Sequence, residues 1–198
     1  MTQKGENWMK KTKPDIREGF IRVTSVLSPF TDFSMIEPSV LKNAADRGTR
    51  VHSYCELYTK NLLIEPVDED CKPYVESFIE WFDAYVDEVI LIEERLYCEK
   101  RRITGQIDLV CKLKGSDGIH VIDIKTPQTP SKSWALQTSA YQYLIEQNHS
   151  DMPIGHRGCL MLSRRGQSAK VVSYTDYEWD IDLYMGALNL YKFFKCQN

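Results

Sequence analysis

Three charged residues lie inside two short apolar runs, a setting that strand-forming sequence ordinarily keeps free of them. They are Asp108 in Gln106-Ile107-Asp108-Leu109-Val110, and Asp123 and Lys125 in Val121-Ile122-Asp123-Ile124-Lys125. Alternation along a strand puts Asp123 and Lys125 on one face and the two isoleucines on the other. Asp108 takes the face away from Ile107 and Leu109. The turn between the runs, Gly115-Ser116-Asp117-Gly118, leaves two registers open. Folding about Gly115-Ser116 sets Asp108 opposite Asp123; folding about Ser116-Asp117 sets it opposite Lys125. Both registers gather the three charges on one face, and a one-residue slip separates them. Two carboxylates beside a lysine make an implausible core and a plausible site for Mg²⁺ or Mn²⁺, to which the Ile124 carbonyl adds a neutral ligand. Lys125 would point into the same pocket. There it can orient or deprotonate a water and stabilise charge developing on a phosphate oxygen, as phosphodiester cleavage requires.

Other elements must position these groups. Arg22 to Leu27 (RVTSVL) reads as a short extended segment. Pro38-Ser39 opens a helix that Gly48 interrupts, and a second helix starts near Thr49. On that second helix His52 and Glu56, four apart, share an edge. Pro73 to about Val86 carries a helical stripe of Val75, Phe78, Ile79, Phe82 and Tyr85 or Val86, assigned to packing. Val89 to Cys98 reads as a strand with Glu93 and Glu94, either of which could reach the site. Thr126 to Ser133 is a Pro- and Ser-rich loop, and a helix follows from about Trp134 to Gln147. Gln137 and Tyr141 stack on one of its faces. Gly158 to Arg164 and Ala169 to Tyr174 read as a hairpin. A last helix runs from about Tyr177 to Phe194, with Ile181, Tyr184, Leu188, Tyr191 and Phe194 on one side. This order fits an α/β fold, a mixed β-sheet flanked by helices.

The 198 residues suffice for one substantial core, and we expect an N-terminal arm over 1–20 and one domain over 21–198. An apolar fraction of 42% with 27% charge is that of an ordinary water-soluble protein. No apolar run approaches a membrane span and no hydrophobic leader opens the chain, so an intracellular location without membrane contact is expected. The six cysteines are scattered with no CxxC pair, as buried thiols in a reducing compartment would be. The net charge of −3 gives no global attraction to nucleic acid, so any such binding comes from local patches. Candidates are Arg47, Arg50, Lys100 to Arg102, Arg164 and Arg165. Lys10, Lys11, Lys13 and Arg17 belong to the arm.

Together the pieces resemble the PD-(D/E)XK nuclease superfamily, and within it the RecB-type nucleases. The matching motifs are Gly105-Gln106-Ile107-Asp108, the strand Val121 to Thr126, Gln137-Thr-Ser-Ala-Tyr141, and Gly48-Thr49-Arg-Val-His52-Ser-Tyr-Cys-Glu56. Four matches in the right order are far more specific than one. The resemblance implies a restriction-endonuclease-like fold and a metal-dependent deoxyribonuclease, an exonuclease on DNA ends or single strands. An endonuclease or a non-catalytic DNA- or protein-binding module are the alternatives. It makes Asp108, Asp123 and Lys125 catalytic, with His52, Asp108, Asp123 and Ile124 as metal ligands; imidazole favours Mn²⁺ alongside Mg²⁺. Glu56 would stand behind the ligands, holding His52 or a water. Gln137 and Tyr141 would contact DNA or orient the lysine. Some relatives hold an iron–sulfur cluster with four cysteines, but only Cys159 and Cys196 lie in the C-terminal region here, so no cluster is expected. No Walker glycine loop is present either; a helicase, recombinase or polymerase would be a partner protein.

Overall fold

The computed structural model describes residues 16–63 and 66–195. In chain order the elements are β1 (Ile21–Arg22), α1 (Val23–Leu27), α2 (Pro38–Thr59), α3 (Lys72–Tyr85), β2 (Val86–Cys98), β3 (Ile103–Leu113), β4 (Ile119–Lys125), α4 (Ser133–Asn148), β5 (Ile154–Met161), β6 (Lys170–Tyr174) and α5 (Tyr177–Lys195). The strands form one mixed six-stranded sheet. β2 pairs antiparallel with β3 along its whole length. The other edge of β3 is divided: β4 pairs antiparallel at Leu109 to Cys111, and β1 pairs parallel at Ile103 and Thr104. The gap between them opens the sheet at residues 105–108. Beyond β4 follow β5, parallel, and β6, antiparallel. This is the α/β, restriction-endonuclease-like arrangement that the sequence implied.

Two cores sandwich the sheet. α1, α4 and α5 bring Val23, Val26, Tyr141, Leu144, Tyr184 and Leu188 onto Ile103, Ile107, Val110 and Val121. On the opposite face α2 and α3 bring Val51, Tyr54, Phe78 and Trp81 onto Leu109, Ile122, Ile124 and Leu160. Burying each of these large side chains contributes roughly 1.5–3 kcal/mol.

Ile107 and Leu109, two apart on β3, therefore face opposite cores. The same exchange occurs on β2, where Ile92 packs with α2 and α3 while Leu96 packs with α1, α4 and α5. Between them Glu93 has φ of +49°, a left-handed conformation rare for a side chain of this kind. One such residue shifts the pleat by half a period, so that equal parity no longer means equal face. Strict alternation, which placed Ile107 and Leu109 together, fails at this point. Strain of this sort persists where the surroundings enforce it, often at functional sites.

Three boundaries differ from the sequence reading. RVTSVL is extended only at its first residue; Val23 to Leu27 coil into α1 because Val23, Val26 and Leu27, at helical spacing, bury against α4 and α5. Gly48 does not interrupt a helix: α2 runs unbroken through it for 22 residues. A glycine inside a helix costs about 1 kcal/mol against alanine, too little to stop one this long that is capped by Glu37 at Ser39 and Val40. β5 starts at Ile154, earlier than Gly158, because its parallel pairing with β4 begins there. Of the two possible ends of the first stripe Val86 is the buried one and Tyr85 is exposed; Phe194 is exposed rather than packed. Cys55, Cys71, Cys98, Cys111 and Cys159 are free and buried, as expected of structural thiols. Cys196, Lys10, Lys11 and Lys13 lie outside the described residues. Of the arm, Phe20 and Arg17 rest on the ring of Tyr97.

Candidate active site

The registers align three carboxylates across three strands. Ile92 pairs with Leu109 and Glu94 with Ile107, so Glu93 faces Asp108. Leu109 pairs with Ile122, so the next position outward sets Asp108 against Asp123, the first of the two registers the turn allowed. There β3 and β4 part, and Asp108 Oδ2 accepts the Ile124 amide N–H at 2.7 Å. The carboxylate thus replaces a backbone partner and is fixed by one oxygen. Its other oxygen lies 3.4 Å from His52 Nδ1, which is 3.2 Å from Glu93 Oε1. His52, Glu93 and Asp108 can each offer one atom to a common ion, with those atoms within 4.8 Å of one another. Glu93 is thereby separated from Glu94, whose carboxylate lies 3.9 Å from His149 at the C-terminal end of α4.

Burial pushes the Asp108 carboxyl up to about 6; Asp123 and Glu93 add to the rise and His52 opposes it. Burial works against a charged His52, yet Asp108 and Glu93 outweigh it and raise the imidazole well above its usual value. Gathering carboxylates this closely out of water is unfavourable without cations among them. The donor set, one imidazole nitrogen with carboxylate oxygens, fits a divalent metal.

From the α4 side the site is held by a second network. Lys125 Nζ lies 2.5 Å from Asp123 Oδ2 and donates to Gln137 Oε1 at 2.9 Å. Gln137 Nε2 donates to Asp123 Oδ1 at 3.0 Å and to the Tyr141 hydroxyl at 2.9 Å. Burial disfavours the Lys125 ammonium, but Asp123 more than offsets it and the pKa is raised. Burial holds the Tyr141 hydroxyl well above its usual value, so it stays protonated. Gln137 and Tyr141 are themselves buried. Gln137 bonds the lysine and its carboxylate, and Tyr141 accepts from Gln137 in turn.

Gly105 makes this approach feasible. A Cβ there would lie 2.8 Å from Tyr141 Cε1 and 2.9 Å from Leu144 Cδ1, both inside van der Waals contact. Gly105→Ala is expected to push Tyr141 off Gln137, with an overpacking penalty of about 1–3 kcal/mol in denaturant melts. Displacement of Lys125 by this route should slow any reaction that depends on its ammonium by up to about 10²-fold.

All of these groups border one cleft of about 730 Å³, between α2, α4 and the open part of the sheet. Glu56 lines it too, and accepts from Lys60 Nζ at 2.6 Å. Of the cleft's other basic groups, Arg22 and Arg95 were not singled out in the sequence. Arg95 Nη2 donates to Gln106 Oε1 at 2.6 Å, and Gln106 Nε2 donates to Glu93. No local signal marked them: the parity that would join Arg95 to Glu93 and Gln106 to Asp108 is interrupted at the left-handed Glu93. The basic residues that were singled out lie elsewhere. Arg50 is bound by Asp68 and Asp70, Arg102 by Glu99, and Arg47 sits over Tyr74. None of Lys100, Arg101, Arg164 and Arg165 lines the cleft. Local carboxylates and rings, invisible in a charge count, had claimed the first three.

A family model described as the PD-(D/E)XK nuclease superfamily matches residues 67–177, more than half of the chain. The chain belongs to this superfamily. The match contains β2 to β6 with Gly105, Asp108, Asp123, Lys125, Gln137 and Tyr141, and stops short of His52 and Glu56 on α2. Among solved structures the chain is similar to a provisionally assigned exonuclease from Eubacterium rectale, at 12% identity and a TM-score of 0.48, over 96% of this chain and 87% of that one. It is also similar to SSO0001, at 15% identity and a TM-score of 0.39, over 93% of this chain and 79% of that one. No curated protein matches it. Enzymes of the PD-(D/E)XK superfamily hydrolyse phosphodiester bonds with divalent metals, and the partly buried His52–Glu93–Asp108 group is where such an ion fits. No helix among the described residues is long and apolar enough to cross a membrane.

Proposed function

We propose that this protein is an Mg²⁺- or Mn²⁺-dependent deoxyribonuclease of RecB type, an exonuclease acting on DNA ends or single strands in replication, recombination or repair. The observation that carries the reading is the position of Lys125, held by Asp123 and Gln137 at the edge of the His52–Glu93–Asp108 group. In this reading His52, Asp108, Asp123 and the Ile124 carbonyl hold the metal, and Glu93 joins them. The ion, when bound, supplies Lewis-acid stabilisation of phosphate charge. Lys125, kept cationic by Asp123, orients the attacking water and faces the charge that grows on a phosphate oxygen. Gln137 and Tyr141 hold that ammonium in place, and Glu56 supports the His52 side of the cleft. The single domain over 21–198 acts behind its arm, inside the cell, with any helicase, recombinase or polymerase as a separate partner.

Arg95 extends the reading to substrate grip. Its hydrogen-bond partner Gln106 is neutral, so its charge is available to a DNA phosphate beside the scissile one. Arg95→Gln should weaken binding of single-stranded DNA several-fold and lower the log–log salt slope by about 0.7. Fluorescence anisotropy across a salt series, without activating metal, measures both.

The deciding experiment incubates end-labelled single-stranded DNA, linear duplex and a covalently closed circle with Mg²⁺, Mn²⁺ or EDTA. Progressive loss of linear DNA with circles spared, abolished by EDTA, is expected. Cut circles make the enzyme an endonuclease, and wild-type protein that cuts nothing with either metal refutes the catalytic reading.

A further inference from the structure

Along β3 the cleft changes from acidic to basic. Arg22 and Arg95 line it from β1 and β2, on either side of β3. Arg22 is exposed and has no ion pair or side-chain hydrogen bond among the described residues. Arg95 donates through Nη2 to the neutral Gln106, and its Nε is out of water with no acceptor. A guanidinium donor left in that state is unfavourable, so a ligand rich in acceptor oxygens is favoured beside it. Paired N–H donors of this geometry match phosphate in particular.

The spacing fits a nucleic-acid strand. Going back along β3 from Asp108, Gln106 pairs with Arg95, and Thr104 pairs with Arg22 on the other edge. Each step of two residues is about 6.8 Å, close to the separation of successive phosphates on one strand. A phosphate at the metal group thus puts the next one at Arg95 and the one after at Arg22. Beyond Arg22 the cations are already held: Arg17 by Glu99 and the Tyr97 ring, Arg102 by Glu99 and the Glu18 carbonyl. At about 730 Å³ the cleft has room for a few nucleotides of one strand, not for a duplex. Arg22 also lies outside residues 67–177, so the family match does not account for it.

We propose that Arg95 and Arg22 form a track for two successive phosphodiesters of single-stranded DNA, on one side of the scissile phosphate. The track rests on the nuclease reading above and adds to it the strand state of the substrate and the side on which it is gripped.

Anisotropy of labelled single-stranded DNA across a salt series, without activating metal, tests the two sites apart from cleavage. Arg22→Gln should weaken binding several-fold and lower the log–log salt slope by about 0.7, and Arg22→Gln with Arg95→Gln by about 1.4. Lys100→Gln, outside the cleft, should leave the slope unchanged. A slope unmoved by Arg22→Gln, or moved as much by Lys100→Gln, overturns the proposal. Cleavage of a strand bearing one uncharged methylphosphonate then gives the positions. The wild type should cut poorly at the bonds one and two linkages from the neutral site, on one side only. Arg22→Gln should lose the effect of the second linkage and keep that of the first. Equal effects on both sides refute the one-sided track. A wild type that binds with the expected slopes yet cuts nothing removes the nuclease reading and not the two phosphate sites.

Discussion

Lys125→Met is expected to lower DNA cleavage by on the order of 10³-fold while leaving the fold and DNA binding nearly intact. Methionine retains the length and much of the apolar stem that packs near Trp134, where the Lys125 Nζ stands 5.5 Å from the ring centroid. What it removes is one cation between Asp123 and Gln137. Under the proposed mechanism the ammonium acts on charge that develops during reaction, so kcat should fall with little change in the substrate concentration for half-saturation. Single-turnover cleavage of labelled DNA beside an anisotropy titration separates the two. Equal losses in binding and cleavage would mean that Lys125 only grips substrate. Gln137→Leu should reproduce a smaller part of the defect, because Asp123 still holds the lysine when the amide is gone. Gln137→Glu should not rescue it, since Glu cannot donate to Asp123 as the amide does at 3.0 Å.

Asp108→Asn should abolish cleavage to a similar degree, yet leave the metal-free protein as stable as the wild type or more so. An asparagine Oδ1 can still accept the Ile124 N–H, so the strand fork is kept. The change removes one of three carboxylates crowded at a buried site, relieving repulsion from Asp123 and Glu93 and the burial of a charge. What is lost is affinity for the ion. In thermal melts the wild type should gain stability with Mg²⁺ or Mn²⁺, about 2.7 kcal/mol when the ion is at 100 times its Kd. Asp108→Asn should gain little. A variant that melts much earlier than the metal-free wild type would show Asp108 to be a structural residue, and a retained metal shift would exclude it as a ligand.

Much of this arrangement was legible in the chain because short-range rules govern it. Alternation across Val121 to Lys125 brought Asp123 and Lys125 to one face, and the 115–118 turn restricted Asp108 to two registers of the same hairpin. Four-residue spacing joined Gln137 to Tyr141 on α4 and His52 to Glu56 on α2. Apolar periodicity placed α3, α4 and α5 to within a few residues. These signals are local; each needs only the geometry of one element.

Choices between near-equal local options were made by tertiary structure. RVTSVL has strand composition, and burial against α4 and α5 turns it into a helix. Glu93 and Glu94 are indistinguishable neighbours until a left-handed residue at 93 reverses the faces of β2 and β3 beside Asp108. Arg50 and Arg102 looked as available for DNA as any basic residue, and Asp68, Asp70 and Glu99 neutralise them from distant or looped positions. Arg22 and Arg95 come to one cleft only in the folded sheet, from β1 and β2 on either side of β3. The types and spacing of residues thus determined which chemistry this chain can perform. Which of several equivalent charges take part was decided by packing, since the energy that distinguishes them is burial and proximity, and neither exists before the chain folds.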